Sequence, residues 1–217
     1  MGLRLNRERL VDAALVLVDE EGAEALSMRT LAARVDRQVS SLYNHVSGRT
    51  ELIELMRARI VADIDVSAFA PAEDSEPRAR TAVKGWDAAL EEWAVSYLRA
   101  FAAHPNLIRL LATTPIRHHS AYAMYDAVVA GLVRAGWPEN LVFAVVRTVE
   151  AHVLGSALDI VAPGDLLVQG AVDAGLPAVR EALAERHAST YGAEAAFSLG
   201  LAALIDGLRL QLEGLAP

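Results

Sequence analysis

The sequence predicts an all-α protein in two parts: an N-terminal three-helix helix-turn-helix domain over residues 1–66, including the start of a connecting helix, and a larger C-terminal helical bundle over 67–217. Three observations carry this. Apolar residues recur at three- and four-residue spacing along almost the whole chain. Alternating strand patterns are absent. The breaks between periodic stretches hold Gly, Pro or a capping residue, as helix ends require. With 53% hydrophobic and 22% charged among 217 residues, intrinsic disorder is excluded, because apolar surface is ample to offset the entropy of ordering.

Leu10, Ala14, Leu17 and Val18 share one face of a first helix, with Asn6 as its N-cap and Gly22 as its stop. Ser27 caps a second helix, Met28 to Val35, that turns Leu31 and Val35 inward. After a short turn, Val39 to Val46 reads as a third, carrying Leu42 and Val46. Ser47-Gly48-Arg49-Thr50 then opens a longer helix with Leu52, Leu55, Met56, Ile60 and Ile64 on its inner face. Residues 67–80, with Pro71, Glu73, Asp74, Ser75, Glu76 and Pro77, interrupt the pattern. Helical patterns resume over 80–103, 106–112, 119–135, 139–161, 176–189 and 193–214, broken at Pro105, Pro115, Gly136 with Pro138, Pro163-Gly164, Pro177 and Gly192.

The 20 Lys+Arg oppose 28 Asp+Glu, for a net charge of −8. Residues 1–60 hold nine Arg and nine acidic residues, so the whole deficit falls in 61–217. Within 26–50, Arg29, Arg34, Arg37 and Arg49 face Asp36 alone, a basic segment that suits either phosphate reading or a solvated face. The chain has no cysteine, which excludes disulfides, thiolate zinc sites and a Cys nucleophile and agrees with a cytoplasmic location. The first eight residues lack the apolar core of a signal peptide. No uninterrupted apolar run reaches the length of about 18 residues that a spanning helix needs, so no membrane partner is expected. Neither a nucleophile elbow nor a phosphate-cradling glycine loop is present, and no enzyme is expected.

The third helix is unusual in its outward face. Gln38, Ser40, Ser41, Tyr43, Asn44 and His45 surround the inward Val39 and Leu42, where a solvated helix would present Glu and Lys. Hydroxyl, amide and aromatic groups without a carboxylate suit a surface laid into a major groove beside phosphates. The alternative for Tyr43 and His45 is packing against the first helix. Arg49, in the first turn of the next helix, combines a guanidinium with free N–H groups and the positive helix end, a good phosphate anchor.

Over Arg7–Ile60 these residues resemble the DNA-binding domain of the tetracycline repressor (TetR) family. The resemblance is carried by Ala13-Ala14-Leu15, Glu21-Gly22, Leu26 to Ala32 and Ser41 to Val46, with Arg49 and Leu52 following; fainter echoes lie around Trp86, at Leu154-Gly155, and at Gly192-Ala193-Glu194 with Phe197 and Gly200-Leu201. It implies DNA contacts by Ser27, Arg29, Gln38, Ser40, Ser41, Tyr43, Asn44, His45 and Arg49, with Ser40, Ser41 and Asn44 at base edges and Tyr43, His45 and Arg49 at phosphates. Asp36 departs from the glycine common at the turn, so an aspartate must adopt the left-handed conformation there.

In the bundle, Trp86, Leu90, Trp93, Tyr97, Phe101 and His104 fall on one helical face. Arg147 and Glu150 sit one turn apart among Val145, Val146, Val149 and Val153, where charges need a partner. Plain core is the alternative for the stripe. Given the resemblance, the expected ligand site is Trp93, Tyr97, Phe101, Tyr122, Phe143, Arg147 and Glu150, for a small apolar or aromatic organic effector. The family's namesake senses a drug–magnesium complex; its metal-binding histidine would fall near Arg109–Leu111, where none stands, so neither metal nor other cofactor is expected. Phe197, Leu201, Leu204, Leu208 and Leu212 form an apolar stripe beside a small-residue stripe of Ala196, Gly200, Ala203, Gly207 and Gly214. With the valine-rich helix at 139–161, this implies a homodimer interface at Val142, Val149, Val153, Gly200, Leu204, Gly207 and Leu208, the alternative being intrachain packing.

The function expected is a ligand-responsive homodimeric regulator, a repressor on a pseudo-palindromic double-stranded operator. The alternatives are a ligand-binding dimer without DNA binding and, least of all, an enzyme.

Overall fold

A computed structural model describes residues 5–71, 85–162, 172 and 175–215. Among them there is no strand. Helices α1 (Arg7–Glu21), α2 (Met28–Arg34), α3 (Val39–Leu42) and α4 (Arg49–Val61) form the N-terminal unit. Helices α5 (Trp86–Ala102), α6 (Pro105–Thr113), α7 (His119–Arg134), α8 (Glu139–Ile160), α9 (Pro177–Ala182), α10 (Ala188–Tyr191) and α11 (Ala193–Leu215) form the bundle. Most of the interruption at 67–80, the first turn of the helix expected from 80, and Pro163-Gly164 lie outside the described residues.

The caps set the N-terminal unit. The Asn6 side chain accepts from the Arg9 N–H (2.9 Å) and the Ser27 hydroxyl accepts from the Thr30 N–H (3.0 Å), each satisfying an orphan donor of a first turn. The end of α2 is a Schellman motif: Arg37 N–H reaches the Ala32 carbonyl (2.9 Å) and Asp36 N–H the Ala33 carbonyl (3.2 Å). Its left-handed residue is Asp36, at φ 52°. Helix α3 is shorter than expected, ending at Leu42; i→i+3 bonds of Asn44 and His45 tighten its tail into turns through residue 45. The helix expected over 176–189 is likewise split by Leu183 and Ala184, which are buried between α9 and a 3-10 turn at Glu185–His187.

Helix α4 belongs to both parts. Leu52, Ile53, Glu54, Met56, Arg57, Ile60 and Val61 are buried around nearly its whole circumference, against α1 on one side and α5 and α7 on the other. Helix α8 is the spine of the bundle, packed between α5 and α11. By length and composition α8 and α11 could each cross a membrane. In α8 the apolarity is accounted for by the core, where Val142, Val145, Val146, Val149 and Val153 are buried.

Candidate nucleic-acid interface and ligand chamber

Around α3 the side chains fall into two sets. Arg29, Gln38, Ser40, Tyr43 and Asn44 are exposed, Tyr43 at 54%, and among the described residues their side chains make no hydrogen bond. The others are tethered. Ser27 holds its cap; Ser41 donates its hydroxyl to the Gln38 carbonyl (2.8 Å), leaving its oxygen to accept. Arg49 donates from Nε to the Leu26 carbonyl (3.0 Å), which fixes its stem while no carboxylate neutralises it among the described residues. His45 is half-buried. Arg7, which sequence reasoning left out, donates from Nε to the His45 carbonyl (3.0 Å) and lies 3.5 Å from Glu51. Glu51 in turn accepts the Ser47 N–H (2.6 Å), and that bond, with Arg7 nearby, holds its carboxyl below the usual range. This network pins the end of α3 to α1 and α4.

Inside the bundle, Glu150 is buried and is the meeting point of three donors. Its Oε1 accepts the hydroxyls of Tyr97 (2.8 Å) and Tyr125 (2.5 Å), and its Oε2 accepts Arg147 Nη1 (3.0 Å). Burial, and then the Glu150 charge, push the Tyr97 hydroxyl far up; burial and the bond to Glu150 do the same for Tyr125. Both phenols therefore stay protonated as donors. A cavity of about 110 Å³ adjoins this cluster, bounded by Arg57 of α4, Tyr97 and Phe101 of α5, Leu111, Ala112, Thr114 and Ile116, Tyr125 of α7, and Arg147, Glu150 and Leu154 of α8.

Of the expected ligand residues, Tyr97, Phe101, Arg147 and Glu150 are thus brought together, and three are not. Trp93 is fully buried core, in edge contact with Tyr97 (5.4 Å between rings), and reaches no wall of the cavity. Tyr122 and Phe143 are half-exposed and line a separate, shallow groove of about 690 Å³ between α7 and α8. Tyr125 borders both spaces: its ring meets Phe143 on the groove side (5.7 Å between centroids), which leaves Phe143 half in solvent and off the chamber wall. Arg57 and Tyr125 were missed. Arg57 could have been found, since Glu54 and Arg57 repeat the spacing that drew attention to Arg147 and Glu150. Among the described residues no three His, Asp or Glu side chains gather as for a metal.

The residues expected at a dimer interface divide by burial. Val142, Val149, Val153 and Leu208 are buried within the protomer, in the helix that joins α5 to α11 and in α11 itself, and leave little surface for a partner. A Cβ at Gly200 would lie 2.4 Å from the His152 ring, so this glycine serves the close approach of α11 to α8; His152 there stacks on Phe197 and bonds its carbonyl (3.0 Å). Leu204 is half-buried, and Gly207 faces open space. The apolar surface left uncovered is the adjacent register: Leu141, Ala144, Thr148, Ala151, Gly155 and Leu158 on α8, with Ala196, Leu199, Ala203, Gly207 and Leu210 on α11.

Residues 80–212 match the family described as "Tetracyclin repressor-like, C-terminal domain". The chain is 31% identical over 153 residues to the HTH-type transcriptional repressor DrrR1 of Streptomyces coeruleorubidus, covering 70% of this chain and about half (53%) of that protein's length. It is 28% identical over 212 residues to the class E tetracycline repressor protein of Escherichia coli, covering 97% of this chain and 93% of the relative. Among solved structures, the fold is similar to ActR of Streptomyces coelicolor in complex with (S)-DNPA, with a TM-score of 0.72 and 27% identity over 96% of this chain and 99% of that one.

Proposed function

This chain belongs to the tetracycline repressor family of transcriptional regulators, and on that premise we propose that it is a cytoplasmic homodimeric repressor of a pseudo-palindromic operator, released when a small aromatic effector occupies the chamber at Glu150. The observation that carries the reading is the α3 surface. Exposed Ser40, Tyr43 and Asn44, without a carboxylate, are flanked by Arg29 and Arg49, and their backbone is pinned by Arg7. Two such surfaces in one dimer would meet successive major grooves about 34–36 Å apart. The uncovered stripe on α8 and α11 supports pairing through four helices. That ActR has been solved with (S)-DNPA supports an effector role for the bundle cavity.

The test is a gel shift on DNA upstream of the chain's own gene. Arg49→Ala should weaken binding to every sequence and flatten the salt slope by about one unit, the signature of one lost phosphate contact. Asn44→Ala should instead change base preference. Normal operator binding by Arg49→Ala at moderate salt refutes the anchor. For the dimer, Gly207→Leu should yield monomers by light scattering while the protomer's helicity persists. Gly200→Leu should damage the protomer itself, by about 1–3 kcal/mol or more, through His152.

A further inference from the structure

The hydrogen-bonding groups around the Glu150 chamber are unevenly matched. Glu150 has three donors, and Glu54, the ion-pair partner of Arg57, also has three: Arg57 Nε (3.1 Å), the Arg117 N–H (2.5 Å) and the His118 N–H (2.7 Å). The carbonyls of Leu111 and Thr114 both accept from Arg57 Nη2, at 3.1 and 2.8 Å. Each of these acceptors thus already has at least one donor. Not every donor has an acceptor. Arg57 is a buried residue bordering the chamber, yet its Nη1 has no partner among the described residues. Nor is that nitrogen sealed off: the buried nitrogens lacking both partner and solvent are those of Trp93 and Trp137. Arg147 gives Glu150 only its Nη1. A buried guanidinium with an uncommitted nitrogen beside a cavity walled by Phe101, Leu111 and Ile116 is complementary to an oxyanion on an apolar body.

We propose that Arg57 is an effector-binding residue and that the effector is an aromatic acid, its carboxylate or ionised phenol taken by Arg57 Nη1 while Tyr97 and Tyr125 remain bound to Glu150. This rests on the reading of the chamber as the effector site, and names the ligand class that reading leaves open. The phenols cannot serve the acid, because their hydrogens already point at Glu150; toward the cavity they offer only lone pairs. Size adds a requirement. The chamber's 110 Å³ is less than the cavity of about 150 Å³ that holds benzene, so a ring-bearing ligand needs a wall to yield. The stretch 111–118 is the wall tied down by Arg57 and Glu54, so an oxyanion on Arg57 acts where room must be made.

The test uses the full-length protein without DNA and three acids of increasing ring size: benzoate, 2-naphthoate and anthraquinone-2-carboxylate, each paired with its uncharged carboxamide. Binding is read by calorimetry. At least one acid should bind tenfold or more tightly than its amide. Arg57→Lys, which keeps a cation beside Glu54 but loses the fork, should abolish that preference, read as the ratio of acid to amide affinity so that any change common to both cancels. Its circular dichroism melt verifies that the fold is intact. Equal binding of acid and amide by the wild type, an undiminished preference in Arg57→Lys, or no binding by any acid overturns the proposal. Leu154→Trp, which fills the chamber, separates the two levels. If it blocks acid and amide alike while Arg57→Lys changes nothing, the chamber stands and Arg57 falls; if it blocks neither, the chamber reading itself fails.

Discussion

The molecule carries two carboxylate–guanidinium pairs at the same three-residue spacing, Glu54–Arg57 in α4 and Arg147–Glu150 in α8, and they do different things. In α4 both side chains are buried, 7% and 6% exposed, and each bonds backbone of the α6–α7 segment. That pair fastens the helix shared with the N-terminal unit to the bundle. In α8 the glutamate is buried while its arginine is 66% exposed, and two tyrosines supply the inner hydrogen bonds. Spacing alone therefore says little about a helical ion pair. What decides is which third group each partner reaches.

The largest expected effect comes from breaking the α4 pair. Glu54→Ala leaves Arg57 buried without a counter-ion and strips two N–H groups of their acceptor, at a cost of about 3–5 kcal/mol. Urea unfolding of the free protein measures it, and a loss under 1 kcal/mol would remove the distinction between the pairs. Next is Glu150→Leu, which orphans the Tyr97 and Tyr125 hydroxyls at about 1–3 kcal/mol each. Adding Tyr97→Phe should then restore stability relative to Glu150→Leu alone; if the double variant is weaker still, Glu150 is not the acceptor that matters.

Acid sharpens the comparison further. Burial pushes the Glu54 carboxyl up, but bonds from the Arg117 N–H, Arg57 and the His118 N–H together hold it below 4.5. A depressed native value means the unfolded chain binds the proton first. The stability from this group is thus complete above about pH 4.5 and is lost as pH falls through the native value. Wild type should lose stability more steeply than Glu54→Gln below pH 4.5, as followed by urea midpoints; parallel curves would count against the clamp.

Local signals were the readable ones. Asn6, Ser27 and Asp36 act within a few residues of themselves, through caps and one left-handed turn, so the N-terminal unit follows from short stretches of sequence. The chamber does not. Arg57 reaches carbonyls 54 and 57 positions away, and the chamber draws on α4, α5, α6, α7 and α8, which no helical period encodes. The dimer stripe shows a subtler limit. Val142, Val149 and Val153 alternate around α8 with Ala144, Thr148 and Ala151, and α11 repeats the ambiguity with Gly200 and Gly207. Period finds both stripes, but only packing tells which one the protomer covers. Size does not decide it either, for Leu141, Leu158, Leu199 and Leu210 stay exposed while the smaller Val142, Val149 and Val153 are buried.

The smallest effect is the most discriminating. Arg147→Ala removes the exposed member of the α8 pair, and its stability cost should stay under about 1 kcal/mol, since a guanidinium two-thirds in water is well screened. Glu150 is not left bare, because both phenol hydrogens remain on Oε1 and the emptied side of Oε2 borders the chamber, where water can take Arg147's place. The same substitution in α4, removing Arg57, takes away more at once: the donor of the Leu111 and Thr114 carbonyls and the counter-ion of the buried Glu54. Urea midpoints for Arg147→Ala and Glu54→Ala under one condition therefore measure the difference between a site and a clamp. If Arg147→Ala costs as much as Glu54→Ala, the arginine is holding the bundle together and the Glu150 cluster is a second clamp.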